Sequence, residues 1–148
     1  MRLRFLLATA VGAVLGAAGG CGANPDTPPT ADSLVATSPL DVGPRAAEFP
    51  MAPALAARGE RLFKGKGCLA CHAYGKRQTG PDLKGVTRRR TAAWMEAQIL
   101  HPERMIREDP IARSLFREYS LQMANQGLTA EEARAIVEYF KKLDREAP

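Results

Sequence analysis

Three observations predict an all-α fold. Apolar residues recur at helical spacing in several segments, and proline, hydroxyl and carboxylate residues stand where those segments begin. No stretch alternates apolar and polar residues as a half-buried strand would. The length, 148 residues, allows one domain with appendages. About four to five helices are expected in a domain over 53–146.

Residues 1–20 read as an export signal. Arg2 and Arg4 give a positive start, and the apolar run from Phe5 to Ala18 is shorter than the roughly 20 residues that span a bilayer. It ends Ala18-Gly19-Gly20-Cys21, which resembles a bacterial lipoprotein cleavage site with Cys21 as the lipidated residue. Ala18 departs from that pattern, where Leu is more usual, and a soluble exported protein cut nearby or an uncleaved anchor is the alternative. Cys21 is the odd cysteine of three, and lipidation accounts for it.

Residues 21–52 read as a flexible linker. Pro25, Pro28, Pro29, Pro39, Pro44 and Pro50 sit among Ala, Thr, Asp and Ser, and no apolar face offsets the entropy of ordering. Such a tether would reach roughly 30 Å as a coil.

The first helix is expected to start near Pro53, a favourable first helical residue. Leu55, Gly59, Leu62 and Phe63 follow at i, i+4, i+7 and i+8, and Gly65 and Gly67 stop it. Thr91 can cap a second helix running to about His101, with Trp94, Met95 and Ile99 available for burial and Pro102 as its end. Asp109-Pro110 opens a third, with Ile111, Leu115, Phe116 and Tyr119 on one face. Leu121 to Leu128 is a loop. Thr129-Ala130-Glu131-Glu132 is a capping box before a last helix that carries Ala133, Ile136, Val137 and Phe140.

The chemistry lies between the first two helices, at Cys68-Leu69-Ala70-Cys71-His72. On a helical turn, positions i and i+3 share a face, so both sulfurs can add to the two vinyl groups on one haem edge. His72 can then reach the iron. A structural zinc site needs four ligands, and beyond Cys21 the chain offers only Cys68, Cys71, His72 and His101, of which adjacent Cys71 and His72 serve poorly as separate tetrahedral corners. A thioredoxin-like pair belongs in a βαβ unit, and no strand pattern precedes Cys68. A histidine ligand needs its other ring nitrogen held by an acceptor, and the carbonyl of Pro81 in Gly80-Pro81-Asp82-Leu83 is the expected one. Trp94 is expected against the haem, its indole N–H on a propionate, with a plain core role as the alternative.

For the sixth ligand the candidates are Met95, Met105, Met123 and His101. Met95 lies in an amphipathic helix, where core packing is its natural role. His101 ends a helix, where a polar group suits the exposed carbonyls. Met123 sits in a loop that can cross the haem edge, and is the expected ligand, with Met105 next and His101 or an open site after it. Imidazole with thioether favours ferrous iron and fills the metal's coordination shell.

The formal charge is +5 and falls to about +3 once Arg2 and Arg4 leave with the leader, which does not suggest nucleic-acid binding. Lys84, Arg88, Arg89 and Arg90 form a local cluster, either a solvated loop or a docking patch for an acidic partner.

Together these residues resemble the class I c-type cytochromes. The matching pieces are Gly59-x-x-x-Phe63, Cys68-x-x-Cys71-His72, Gly80-Pro81-Asp82-Leu83, Met123 and Gly127 to Glu132 with Ile136 to Phe140, and they cover about residues 54–144. The resemblance implies one covalent haem c, a first helix crossing the last with Gly59 near Tyr139, a Pro81 carbonyl on His72, and methionine as second axial ligand. Ala124 departs from the family, which often has Pro after that methionine. The stretch from Gly80 to Met105 is similar to small cytochromes associated with nitrous-oxide reduction.

The function this implies is electron transfer, not catalysis, on the periplasmic face of a bacterial membrane with a lipid anchor at Cys21. A quinol-oxidising complex or another cytochrome would be the donor, and a terminal oxidase or reductase the acceptor. A haem peroxidase, or a gas or redox sensor with a labile sixth ligand, is the alternative.

Overall fold

The structure is a computed structural model that describes residues 37–147. The expected leader and Cys21 lie outside the described residues. Within them the chain forms six α-helices and three short 3-10 turns, with no strand. The helices are α1 (Pro53–Gly65), α2 (Val86–Arg89), α3 (Ala92–Leu100), α4 (Pro102–Glu108), α5 (Pro110–Tyr119) and α6 (Ala130–Glu146). Among the described residues no helix is long and apolar enough to cross a membrane.

The frame is the crossing of α1 and α6. Pro53 occupies the first turn of α1, where its missing N–H costs no hydrogen bond. Thr129 and Glu132 form the reciprocal capping box of α6: Glu132 N–H donates to Thr129 Oγ1 at 3.2 Å, and Thr129 N–H donates to Glu132 Oε2 at 2.9 Å. Phe63 stands edge-on to Phe140 with ring centroids 5.3 Å apart, and tilted against Tyr139 at 5.8 Å. Such aromatic pairs add about 1 kcal/mol each beyond their burial. The resemblance put Gly59 against the face of α6 near Tyr139. Gly59 meets the α6 backbone at Ala135 and Ile136, one turn before Tyr139 on that face, and Tyr139 faces Phe63.

Pro102 ends α3 as expected and also starts α4, because the residue that cannot continue one helix is favoured at the first position of the next. This helix raises the count above the expected four to five, as does the four-residue α2. Met105 is buried inside α4 at 2% exposure. Asp109 caps α5 by accepting from the N–H groups of Ile111 (3.0 Å) and Ala112 (2.9 Å).

The linker expectation over 21–52 fails from Ser38 onward. Residues Ser38 to Phe49 form a strap with two 3-10 turns, Pro39–Asp41 and Ala46–Glu48, laid against α2, α3 and α6. Ala46 is fully buried and its N–H donates to Arg90 O at 2.9 Å. Asp41 accepts from Thr91 N–H at 2.7 Å and pairs with Arg90 and Arg45, each at 3.1 Å. The strap is held through polar atoms and one alanine, which is why it shows no apolar periodicity.

At the other end of α6, Asp144 fastens α2 to the frame. Its carboxylate accepts from Tyr74 Oη (2.7 Å), Gly85 N–H (2.6 Å), Thr87 N–H (2.9 Å) and Thr87 Oγ1 (2.6 Å). Arg88 donates to the Asp144 backbone carbonyl.

Candidate functional site

The helices and loops leave a cavity of about 410 Å³ in the middle of the domain. All six helices contribute to its wall, together with the segments 67–83 and 121–128. The wall is mostly apolar, with Phe63, Leu83, Trp94, Ile99, Leu115 and Phe140 among its residues.

Cys68, Cys71 and His72 all line it. Gly67 adopts the left-handed conformation (φ 75°) that turns the end of α1 into Cys68, a geometry glycine accepts without Cβ strain. Cys68–Ala70 is a 3-10 turn, in which residues three apart eclipse more closely than on an α-helix. The two thiols are free of any disulfide. Burial holds the Cys68 thiol above its ordinary pKa.

His72 Nδ1 lies 3.1 Å from the Pro81 carbonyl oxygen and donates to it in the neutral ring. That tautomer leaves the Nε2 lone pair free for a metal. Burial pushes the imidazole pKa down, and the bond to Pro81 opposes this only in part, so the ring stays neutral. Gly80 backs the ring: a Cβ there would stand 2.7 Å from His72 Cε1. Gly80 N–H donates to Cys71 O at 2.8 Å and Leu83 N–H to Ala73 O at 3.2 Å, which closes the loop around the histidine.

Of the four candidates for a sixth ligand, Met123 and Met95 line the cavity; Met105 and His101 do not. His101 is exposed at the boundary of α3 and α4. Met123 comes from the loop between α5 and α6, and its Sδ lies 3.9 Å from Gln98 Nε2.

Trp94 lines the cavity and is 4% exposed, but its indole N–H donates to Asp109 Oδ1 at 3.0 Å. The expected propionate contact is therefore replaced by a bond to the α5 cap. The basic cluster is also built into the fold. Arg88 binds Asp144 O, Arg89 donates to Lys84 O at 2.6 Å, and Arg90 pairs with Asp41 and stacks 5.2 Å from the Trp94 ring centroid. Arg89 and Arg90 still reach the cavity wall, where cations suit an anionic group.

Gln98 escaped the sequence reading. Its signal was a polar residue one position before Ile99 on the α3 face that carries Met95.

These residues fit a covalently attached haem: two thiols on one tight turn, an oriented neutral imidazole, a second soft donor and an apolar cavity. Zinc has no place here, since among the described residues no three His, Cys, Asp or Glu side chains converge on a metal position. The thioredoxin-like alternative lacks its sheet among the described residues.

Comparisons agree. The cytochrome c family profile matches residues 56–144. Cytochrome c-551 of Stutzerimonas stutzeri is 56% identical over 36 residues, a stretch that spans 24% of this chain and 35% of that protein. A solved cytochrome c from Rhodothermus marinus is 36% identical, covers 68% of this chain and 94% of its own, and superposes with a TM-score of 0.62. An engineered form from the same organism, bound to a carbene intermediate, is 35% identical over 68% of this chain and 96% of its own, with a TM-score of 0.59. The chain belongs to the cytochrome c family and carries one covalently bound haem c.

Proposed function

We propose that this protein is an electron carrier of a bacterial respiratory chain, with His72 and Met123 as the axial ligands of its haem iron. The observation that carries this reading is the meeting of four residues, Cys68, Cys71, His72 and Met123, at one apolar cavity. The haem supplies the Fe(III)/Fe(II) couple. The chain attaches it through two thiols, orients the imidazole through Pro81, excludes water with an apolar wall and offers a thioether that raises the potential relative to a second imidazole. With both axial positions filled, transfer is outer-sphere and needs little rearrangement.

The sequence supports an exported protein, with residues 1–20 as leader and Cys21 as a lipid anchor on the periplasmic face. Its donor would be a quinol-oxidising complex or another cytochrome, and its acceptor an oxidase or reductase, including a nitrogen-oxide reductase. Cys21→Ser should release the protein from membranes; full retention would overturn the anchor.

The central test is the ferric spectrum of the mature holoprotein. The thioether-to-iron band near the red end should be present, and Met123→Ala should abolish it and lower the potential. Loss of the band in Met95→Ala but not in Met123→Ala would overturn the ligand assignment. Absence of the band in the unmodified protein would favour a peroxidase or a sensor.

A further inference from the structure

The strap brings a buried carboxylate up to the wall of the haem cavity. Only 7% of the Asp41 side chain is exposed, and its Oδ2 lies 3.1 Å from Arg90 Nη1. Arg90 lines the cavity and stacks on Trp94, so one guanidinium links the strap carboxylate to the haem site. The same residues hold the strap down. Thr91 N–H donates to Asp41, Thr91 Oγ1 donates to Leu40 O at 2.6 Å, and Ala46 N–H donates to Arg90 O. The strap also carries Arg45, 3.1 Å from Asp41 Oδ1, but that side chain is 27% exposed. Water screens its charge more than it screens the buried carboxylate, and Glu48, exposed beside it, has the opposite sign. Felt from the cavity, the docked strap is negative.

A haem core carries one more positive charge with Fe(III) than with Fe(II). Arg90 at the wall opposes that charge, and Asp41 cancels part of the opposition, so Asp41 favours the ferric state. Coupling between two equilibria is reciprocal: whatever strap docking does to the redox equilibrium, the redox state does to strap docking. We propose that the Ser38–Phe49 strap is a redox-sensitive element: through Asp41 it lowers the haem potential, and it is held more tightly when the iron is ferric than when it is ferrous. Release on reduction would add the strap's length to the linker that the sequence predicts before it, and so widen the reach of the reduced protein toward its acceptor. The proposal rests on haem in the cavity and not on the assignment of Met123, so its failure and that of the axial ligand are read separately.

Two measurements on the mature holoprotein test it. The first is hydrogen exchange of the unmodified protein in both redox states. Relative to the Asp109 N–H at the end of α4, the N–H groups of Ala46 and Thr91 should exchange at least about threefold more slowly in the ferric protein. The second is the midpoint potential of Asp41→Asn, which keeps an oxygen for Thr91 N–H and removes the charge. The variant should shift the redox equilibrium toward Fe(II) by about the same factor, which is a raised potential, and the redox difference in exchange should vanish. A strap that only shields the cavity from water would behave in the opposite way, since loosening it admits solvent and lowers the potential. A lowered or unchanged potential in Asp41→Asn would overturn the proposal. So would strap amides that exchange equally fast in both states, or faster in the ferric protein.

Discussion

Gly59 of α1 lies so close to α6 that a Cβ on it would stand 1.9 Å from the carbonyl oxygen of Ala135 and 2.5 Å from its carbon. The obstruction is backbone, so no side chain can turn aside. The two helices cross at this point, and the Phe63–Tyr139–Phe140 cluster one turn on is packed on the same axis.

Gly59→Ala should therefore force α1 and α6 apart. Overpacking of this kind costs about 1–3 kcal/mol, more than the roughly 1 kcal/mol of helix propensity that alanine gains. A fall of about 5–10 °C in the melting temperature of the holoprotein is expected. Gly65→Ala is the control: its Cβ would meet open space, and a neutral or slightly raised melting temperature is expected. Equal melting temperatures for Gly59→Ala and its parent would show that the crossing can widen freely.

The difference between what was legible and what was hidden follows from which atoms carry each feature. Pro53, Asp109-Pro110 and the Thr129–Glu132 box announce their helices because capping is local chemistry, set within four residues. The haem attachment turn is likewise contiguous. The strap from Ser38 to Phe49 was hidden because Asp41 and Arg45 bond to backbone and side chains about fifty residues away, at Thr91, Arg90 and Arg89, a relation that composition does not record. The Trp94 partner was misjudged for the same reason. Asp109 was legible as a cap, but not as a cap with an acceptor lone pair left for an indole across the α3–α5 contact.

Gly80 should be nearly as intolerant as Gly59, with a different consequence. A Cβ there would lie 2.7 Å from His72 Cε1, 2.9 Å from His72 Nδ1 and 3.0 Å from Cys71 O. Gly80→Ala must turn the ring or move the loop, and either motion strains the 3.1 Å bond to Pro81. The covalent attachment through Cys68 and Cys71 would survive. The iron–imidazole bond should weaken by about 10- to 100-fold, the usual cost of losing an orienting partner. The measurement is the high-spin fraction in the ferric spectrum, which should rise while the pyridine haemochrome yield per protein stays the same. A spectrum identical to the parent's would mean that the ring is not held by this wall.

Asp144 and Tyr74 predict stability changes at opposite ends of the pH scale. Burial pushes the Asp144 carboxyl up, but the hydrogen bonds from Thr87, Tyr74 and Gly85 together hold it below its ordinary 3.8. A lowered folded pKa means that its contribution is complete above about pH 4 and is lost as the pH falls through the folded value. For Tyr74, burial first and the bond to Asp144 second raise the phenol from 10 to about 12. A raised folded pKa means that its contribution is complete below about pH 10 and is lost as the pH rises toward about 12. Asp144→Asn turns one accepting oxygen into a donor that faces the N–H groups of Gly85 or Thr87, and should cost about 3 kcal/mol at neutral pH. Urea midpoints taken at about pH 3, 7 and 11 would separate the two groups. Asp144→Asn should flatten the acid limb, and Tyr74→Phe the alkaline limb. If Asp144→Asn kept the full acid slope, the carboxylate that locks α2 to α6 would not be the group that titrates there.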